Sequence, residues 1–424
     1  MRILIIGINY YPERTSVAPF NSGLSEHLAA KGHDVRVITA FPYYPEWRIW
    51  DGYRGKLTSK ETLNGVQVRR VIHFVPWKAS RLIERLLHDF SFALTALFAG
   101  LMSGPCDVIY CSSPPPAAAL TAYVISKVKC VPYTIKLTDL ASEAATATRI
   151  LREDGWAVRA AKAIEDFVYR RADTIFCLCE GFVEKLGARG ISLTRLKLIP
   201  DWGDTEAIRP VPSDGSFRQQ YAIPPTSFVL LHTGNMGKKQ GLINIVKGAE
   251  LTREDEGLVW VIVGEGEERG LIENEIRVRG LSNVRVLPLQ PRESMCQMYA
   301  AADVLLLTQT TMVKDSVIPS KLLTYLASGR PVLASVNPAS EAARLVQSAG
   351  CGVVVPSEDP KAIANCARTL RAENHLRNSF TGRSYAEAHF TKAQVLSSYD
   401  KYFDAFISSG PSYGLSTSKS GATD

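Results

Sequence analysis

Three neighbouring residues, Pro319, Ser320 and Lys321, combine a helix start, a hydroxyl and an ammonium. Proline suits the first turn of a helix, where its missing N–H would have had no partner, and Gly329 suits the residue just past the end. A short helix from Ser320 is therefore expected, then a strand from Val332. The free N–H groups of its first turn carry partial positive charge, and Lys321 adds a full one. Together they suit a phosphate or a diphosphate. The plain alternative is a capped helix with a solvated lysine.

A second loop of the same character follows the apolar run 228–232: Thr233-Gly234-Asn235-Met236-Gly237-Lys238-Lys239-Gln240-Gly241. Glycines let backbone approach a ligand closely, and the two lysines are compact point charges. It is not a P-loop, because the G-x-x-x-x-G-K-[ST] spacing is absent. The run 258–263 leads into Gly264-Glu265-Gly266-Glu267-Glu268-Arg269-Gly270. That spacing misses the dinucleotide fingerprint, and its acids would repel a pyrophosphate. Gly264 and Glu265 are thus expected against sugar or base edges, with Gln290 in a loop that helps select the base. Near the N-terminus, Asn9 and Tyr10 leave the first strand in a polar, aromatic loop. Asp139 and Glu143 are spaced to share a helix face. Asp139 could accept a hydrogen bond from a sugar or assist proton transfer; capping the next helix is the alternative.

These loops need strands to carry them. Apolar runs at 3–7, 35–39, 66–71, 108–111, 133–137, 174–178 and 196–200 alternate with helical stretches such as 20–31 and 156–171. The second half repeats the pattern at 228–232, 258–263, 284–287, 304–308, 332–335 and 353–355. Alternation of this kind predicts crossover units and parallel sheets. The expected architecture is α/β, with two Rossmann-like doubly wound domains at 1–204 and 227–390, joined by a linker at 205–226 and facing a central cleft. Ligands in such sheets bind beyond the carboxyl ends of the strands, where every candidate loop lies. A final helix at about 391–406 carries Val395, Tyr399, Tyr402, Phe403 and Phe406 on one face, and a Ser/Gly/Thr-rich tail at 408–424 is expected to be disordered.

A chain of 424 residues is too long for one ordinary core, and its net charge is +7. Residues 1–204 hold 26 Lys and Arg against 20 Asp and Glu, so the basic excess sits mainly in the first half. The eight cysteines form no C-x-x-C pair, so no zinc site is expected. The chain begins at once with a strand, so no signal peptide is expected. The stretch 86–102 is apolar but is broken by His88 and Asp89 and preceded by Lys78, Arg81 and Arg85. It reads as a buried domain helix or, more sharply, as an interfacial helix on anionic lipid.

In Gly7-Ile8-Asn9-Tyr10, residues 29–39, Pro42-Tyr43-Tyr44-Pro45, residues 234–242 and Pro319-Ser320-Lys321-Leu322, taken in this order, the chain resembles the family 4 retaining glycosyltransferases of the bacterial exopolysaccharide, colanic-acid and O-antigen type. The resemblance runs from residue 1 to about 405. It implies the GT-B fold, a UDP- or GDP-sugar held mainly by the second domain, a lipid-linked or saccharide acceptor held by the first, and a last helix that crosses back to the first domain. It further implies retention of anomeric configuration by a front-face route that needs no enzyme nucleophile. Ser316 and Thr324 stand where the family has two glutamates, and Asn235 and Gln240 where it has Arg and Lys.

On that basis Lys239, Lys321 and Asp139 are the expected catalytic residues. Gly234, Asn235, Lys238, Gln240, Gly264, Glu265, Gln290, Asp315, Ser316, Pro319, Ser320 and Thr324 are expected to bind the donor, with Asp315 standing in for a missing glutamate. Asn9, Tyr10 and Glu143 are expected to bind the acceptor. No cofactor, metal or nucleic acid is expected. The expected location is cytoplasmic, peripheral on the inner face of the cytoplasmic membrane through Arg81, Arg85 and the 86–102 helix. A nucleotide-sugar epimerase, a phosphorylase of the same shape and a non-enzymatic membrane-surface binder are the rival readings.

Overall fold

Mostly buried apolar strands build two separate sheets, all parallel but for one edge strand. The computed structural model describes residues 1–78, 81–140, 142, 155–313, 318–373 and 381–409. The first lobe runs β1 (Arg2–Ile6), α1 (Ala18–Ala30), β2 (Asp34–Ala40), β3 (Thr58–Leu63), β4 (Val66–Val71), α2 (Leu82–Leu101), β5 (Val108–Ser113), α3 (Pro116–Lys129), β6 (Tyr133–Leu137), α4 (Trp156–Tyr169), β7 (Thr174–Cys177), α5 (Glu180–Ala188) and β8 (Leu196–Leu198). Its sheet is ordered β3-β4-β2-β1-β5-β6-β7-β8.

The second lobe runs α6 (Ser216–Gln220), β9 (Phe228–Thr233), α7 (Ile243–Leu251), β10 (Leu258–Val263), α8 (Arg269–Val278), β11 (Val284–Leu287), α9 (Met295–Ala301), β12 (Val304–Thr308), α10 (Ser320–Ser328), β13 (Val332–Ser335), α11 (Glu341–Ser348), β14 (Gly352–Val355), α12 (Pro360–Ala372) and α13 (Gly382–His389). Its sheet is ordered β11-β10-β9-β12-β13-β14, with every pairing parallel. Chain order reverses between β9 and β12, and in the first lobe between β1 and β5. Those are the switch points at which such sheets open a crevice.

Strands β5, β6, β9, β10 and β12 are buried at every position. Helices cover both faces of a parallel sheet, which is why these strands read as unbroken apolar runs. Strand β3 is different: it pairs antiparallel with β4 and no residue of it is fully buried. It was not anticipated, although Asn64 and Gly65, both at positive φ, form the short turn that joins the pair. Asn-Gly between two strand-like runs was the available signal.

The last helix, α14 (Lys392–Ser409), lies on the first lobe. Val395, Leu396, Tyr399 and Phe403 share a core with Ile3, Ile5, Leu24 and Phe176. Tyr402 donates to Thr174 Oγ1 at 3.1 Å, and His27 Nε2 meets Asp400 at 2.8 Å. The segment 205–226 is not a loose linker. Phe217 is buried in the second core, and Arg218 donates to the carbonyls of Ala301, Pro225 and Ser227 and pairs with Asp303. Its proline and serine content marks turns, but one well-bonded arginine fastens them to the lobe. The helix runs to Ser409, past the expected start of the tail at 408, and residues 410–424 lie outside the described residues.

Across the cleft the lobes meet at one end. Glu341, at the first turn of α11, accepts a hydrogen bond from the Gly181 N–H at 3.1 Å, and Arg344 reaches Glu184 at 3.4 Å. Gly181 and Glu184 belong to α5, so two helix starts converge on the Glu341 carboxylate. Helix starts favour negative charge there.

Candidate active site

At the second-lobe switch point the loops after β9 and β10 lie directly on one another. The Gly234 N–H donates to the Val263 carbonyl at 2.9 Å, the Met236 N–H to that of Glu265 at 2.8 Å, and the Glu268 N–H to that of Met236 at 2.9 Å. Gly266 sits where a Cβ would meet the Met236 carbonyl oxygen at 2.5 Å and Asn235 Oδ1 at 2.7 Å. Only a residue without a side chain permits that approach. The loop then tightens into a 3₁₀ turn over Lys238–Gln240, and the Thr310 N–H beyond β12 donates to the Lys239 carbonyl at 2.9 Å.

Helix α10 points its start at this loop pair. Pro319 is the extended residue before it and Gly329 ends it at φ 69°, as expected from their types. Ser320 is exposed at the first position, and Thr324 is half-buried one turn on. Lys321 bends back over the loop, with Nζ 3.5 Å from where a Cβ on Gly234 would stand. It also lies 3.3 Å from Nε2 of His232, whose Nδ1 faces the Leu306 carbonyl at 3.1 Å. Burial lowers the Lys321 ammonium to about 8. His232, fully buried in β9, is held far below the ordinary histidine value by burial first and by the Lys321 charge second.

Gly234, Asn235, Gln240 and Gly264 thus lie on the two touching loops, and Pro319, Ser320 and Lys321 at the start of the helix whose lysine covers Gly234. Lys239 is half-buried in the same turn. Lys238 differs: it is exposed and lines a separate hollow of about 360 Å³ with Lys247, Glu268, Arg279 and Thr310. The 3₁₀ turn thus leaves Lys238 exposed and Lys239 half-buried. Glu265 is exposed and pairs with Arg269, which also donates to the Gly264 carbonyl at 3.0 Å. Gln290 accepts from the Tyr221 hydroxyl at 3.0 Å and donates to the Pro288 carbonyl at 2.8 Å. Asp315 and Ser316 lie outside the described residues, as does Glu143.

On the first-lobe side, Asn9 is nearly buried and donates through Nδ2 to Glu13 at 2.8 Å. Tyr10 corrects an expectation. It is 1% exposed, packed with Leu24, Leu28 and Val37, and it cannot touch an acceptor. Alternation at the strand exit turns Asn9 and Tyr10 to opposite sides. Glu13 was missed. Its buried carboxylate accepts from the Tyr43 and Tyr44 N–H groups, each at 2.8 Å, as well as from Asn9, and so ties the loops after β1 and β2 together. Burial pushes its pKa up against those three bonds. Asp139 is half-buried just beyond β6, in the loop where the Thr138 N–H donates to the Ser113 carbonyl at 2.8 Å.

His232 was missed as well, although a histidine near the end of an apolar strand and just ahead of Gly234 was a visible anomaly. A histidine in such a strand has to find partners. Helix α2 is half-buried rather than enclosed. Glu84, His88, Phe92, Ala96 and Gly100 face inward, while Phe90 is 66% exposed, Phe98 60% and Met102 73%. No helix among the described residues is long and apolar enough to cross a membrane.

Comparison with known proteins agrees with this architecture lobe by lobe. Residues 17–202 match the model of the glycosyl transferase 4-like domain, and residues 213–386 that of glycosyl transferases group 1. A putative colanic acid biosynthesis glycosyl transferase, WcaI of Escherichia coli K12, is 29% identical over 93% of this chain and 98% of its own length. Among solved structures, sucrose-phosphate synthase from Thermosynechococcus elongatus superposes with a TM-score of 0.76 at 16% identity, over 96% of this chain and all of that one. Anabaena HepE in complex with UDP-glucose gives 0.67 at 16% identity over the same shares. With both family models laid end to end on the two lobes, the chain belongs to the family 4 glycosyltransferases of GT-B fold.

Proposed function

We propose that this enzyme transfers a sugar, with retention of configuration, from a nucleoside-diphosphate sugar to a lipid-linked or saccharide acceptor in bacterial surface-polysaccharide synthesis. The observation that carries the reading is the Lys321 ammonium held over Gly234 at the start of α10, beside the crevice between the β9 and β10 loops. A departing nucleoside diphosphate gains charge as the bond from its terminal phosphate oxygen to the anomeric carbon breaks. Fixed amide dipoles and an ammonium in a dry crevice stabilise that charge without reorganising. In the same step the acceptor hydroxyl oxygen bonds to the anomeric carbon and its proton passes to the departing phosphate oxygen. Lys321 and the α10 amides act on the phosphates, with Lys239 next to them. From the first lobe, Asp139 is assigned to accept a hydrogen bond from a sugar. The likeness to a colanic acid enzyme along nearly the whole chain, and to a fold that holds UDP-glucose in HepE, supports this donor and pathway class.

A membrane-bound acceptor is supported by α2. Its exposed stripe of Ile83, Leu86, Leu87, Phe90, Leu94 and Phe98 is bordered by Arg81 and Arg85, the pattern of a helix lying in an anionic lipid interface. Arg85 stacks 5.7 Å from the Trp47 ring, and Trp47 packs on Tyr43 and Tyr44 beside Glu13, so this stripe begins next to the acceptor side of the cleft. Thermal-shift titration with UDP, GDP and their sugars tests the donor assignment, since a ligand that binds only the folded state raises its melting point. A shift with one nucleoside diphosphate and its sugars is expected. No shift with any of them overturns the proposal.

A further inference from the structure

We infer that His232 is a positioning residue that aims Lys321 at the donor diphosphate while leaving its charge uncancelled, an inference that rests on the transfer reading above. The hydrogen-bond partners of the ring dictate its form. Nδ1 lies 3.1 Å from the Leu306 carbonyl oxygen, which can only accept, so Nδ1 carries the hydrogen. Nε2 then presents a lone pair, and Lys321 Nζ, which can only donate, stands 3.3 Å from it. An imidazolium would set an N–H against the ammonium in a dry site, so the ring is neutral. The ring itself cannot swing, because β9 is buried at every position and Leu306 belongs to the neighbouring buried strand β12.

The choice of partner has a consequence for binding. An ammonium has three hydrogens; His232 takes one and fixes the direction of the other two. A carboxylate in the same place would hold the lysine equally well but would cancel its charge toward an incoming anion. Gly234 completes the arrangement: it holds φ 116°, a conformation that side chains rarely adopt, and leaves Nζ over bare backbone, 3.5 Å from where a Cβ would stand. His232, Lys321 and Gly234 therefore form a unit that responds to the phosphates of a ligand and not to its nucleoside.

The test is calorimetric titration of full-length wild-type, H232Q, H232L and H232E protein with UDP, GDP, uridine and guanosine. Glutamine keeps a neutral acceptor near the Nε2 position, and its diphosphate Kd is expected within about threefold of wild type. H232L and H232E are expected to weaken the diphosphate tenfold or more while the nucleoside Kd moves less than twofold. Equal loss of diphosphate and nucleoside in H232L would mean a packing role only, and unchanged diphosphate binding in it would remove His232 altogether. Wild-type protein that binds neither UDP nor GDP overturns the transfer reading instead. If H232L and H232E do not fold, nitrogen NMR of the wild-type imidazoles decides. An Nδ1–H tautomer for His232, with an Nε2 resonance that moves in K321M, supports the pair, and an Nε2–H tautomer sinks it.

Discussion

A Cβ placed on Gly264 would lie 1.8 Å from the carbonyl oxygen of Gly234, so these two glycines hold the β9 and β10 loops in backbone contact. Gly264→Ala must push the loops apart and break the Gly234 N–H to Val263 bond beside them. A loss on the order of 3 kcal/mol or more is expected, the range of a backbone clash in a core. Gly270→Ala is the control: nothing stands within 4 Å of its Cβ position in α8. It should be neutral or stabilise by up to about 1 kcal/mol. Chemical denaturation of the two variants measures both effects.

Lys321→Ala removes the buried ammonium from the start of α10. Loss of one preorganised charge at a departing diphosphate typically costs about 3 kcal/mol of transition-state stabilisation, roughly a hundredfold in rate. Turnover with the nucleotide sugar is expected to fall well over tenfold, with the folded structure retained because the lysine tip reaches the crevice. Near-normal turnover would take Lys321 out of the mechanism.

The same lysine predicts opposite responses to alkaline pH. Its folded pKa is about 8, against an ordinary 10.5. As pH rises through 8 the folded enzyme loses this charge, so diphosphate affinity and turnover should fall. The unfolded chain keeps its proton until about 10.5, so it binds more protons than the folded state between those values. By linkage, Lys321 then contributes increasing stability as pH rises across that window. Affinity and denaturation midpoints measured from pH 7 to 10 should diverge in wild type, and this divergence should be absent in Lys321→Met.

The outer face of α2 predicts lipid binding. Phe90→Ser with Phe98→Ser removes two exposed aromatic groups, each worth roughly 1.5–3 kcal/mol when buried, and should abolish flotation with anionic vesicles. Arg81→Gln with Arg85→Gln should weaken it by about 1 kcal/mol per charge and flatten its salt dependence. Flotation of the aromatic double variant equal to wild type would exclude this face as the contact.

Glu341→Ala leaves the Gly181 N–H without its partner across the cleft. An orphaned buried donor costs about 1–3 kcal/mol, and the cost falls on the coupling between lobes. Calorimetry should show the single unfolding transition broadening or splitting, while Glu341→Gln, which keeps an acceptor, should not.

Residue types in short windows determined much of this protein. Apolar runs alternating with helical periods predicted the parallel sheets, because burial on both faces demands unbroken apolar strands. Pro319 and Gly329 marked the ends of α10 through their own backbone preferences, and the glycine-rich loops after β9 and β10 announced close backbone approach. Tertiary structure decided the partners. His232 and Lys321 are 89 residues apart, and nothing in either window records that strand order brings them together. Glu13 serves loops after two different strands, and the reversal at a strand exit buried Tyr10 while Asn9 stayed with Glu13. Lys238 and Lys239 look alike in sequence, but the 3₁₀ turn leaves one exposed and the other half-buried. Backbone preference is a local property carried by each residue, whereas burial and hydrogen-bond partnership depend on which distant strands become neighbours.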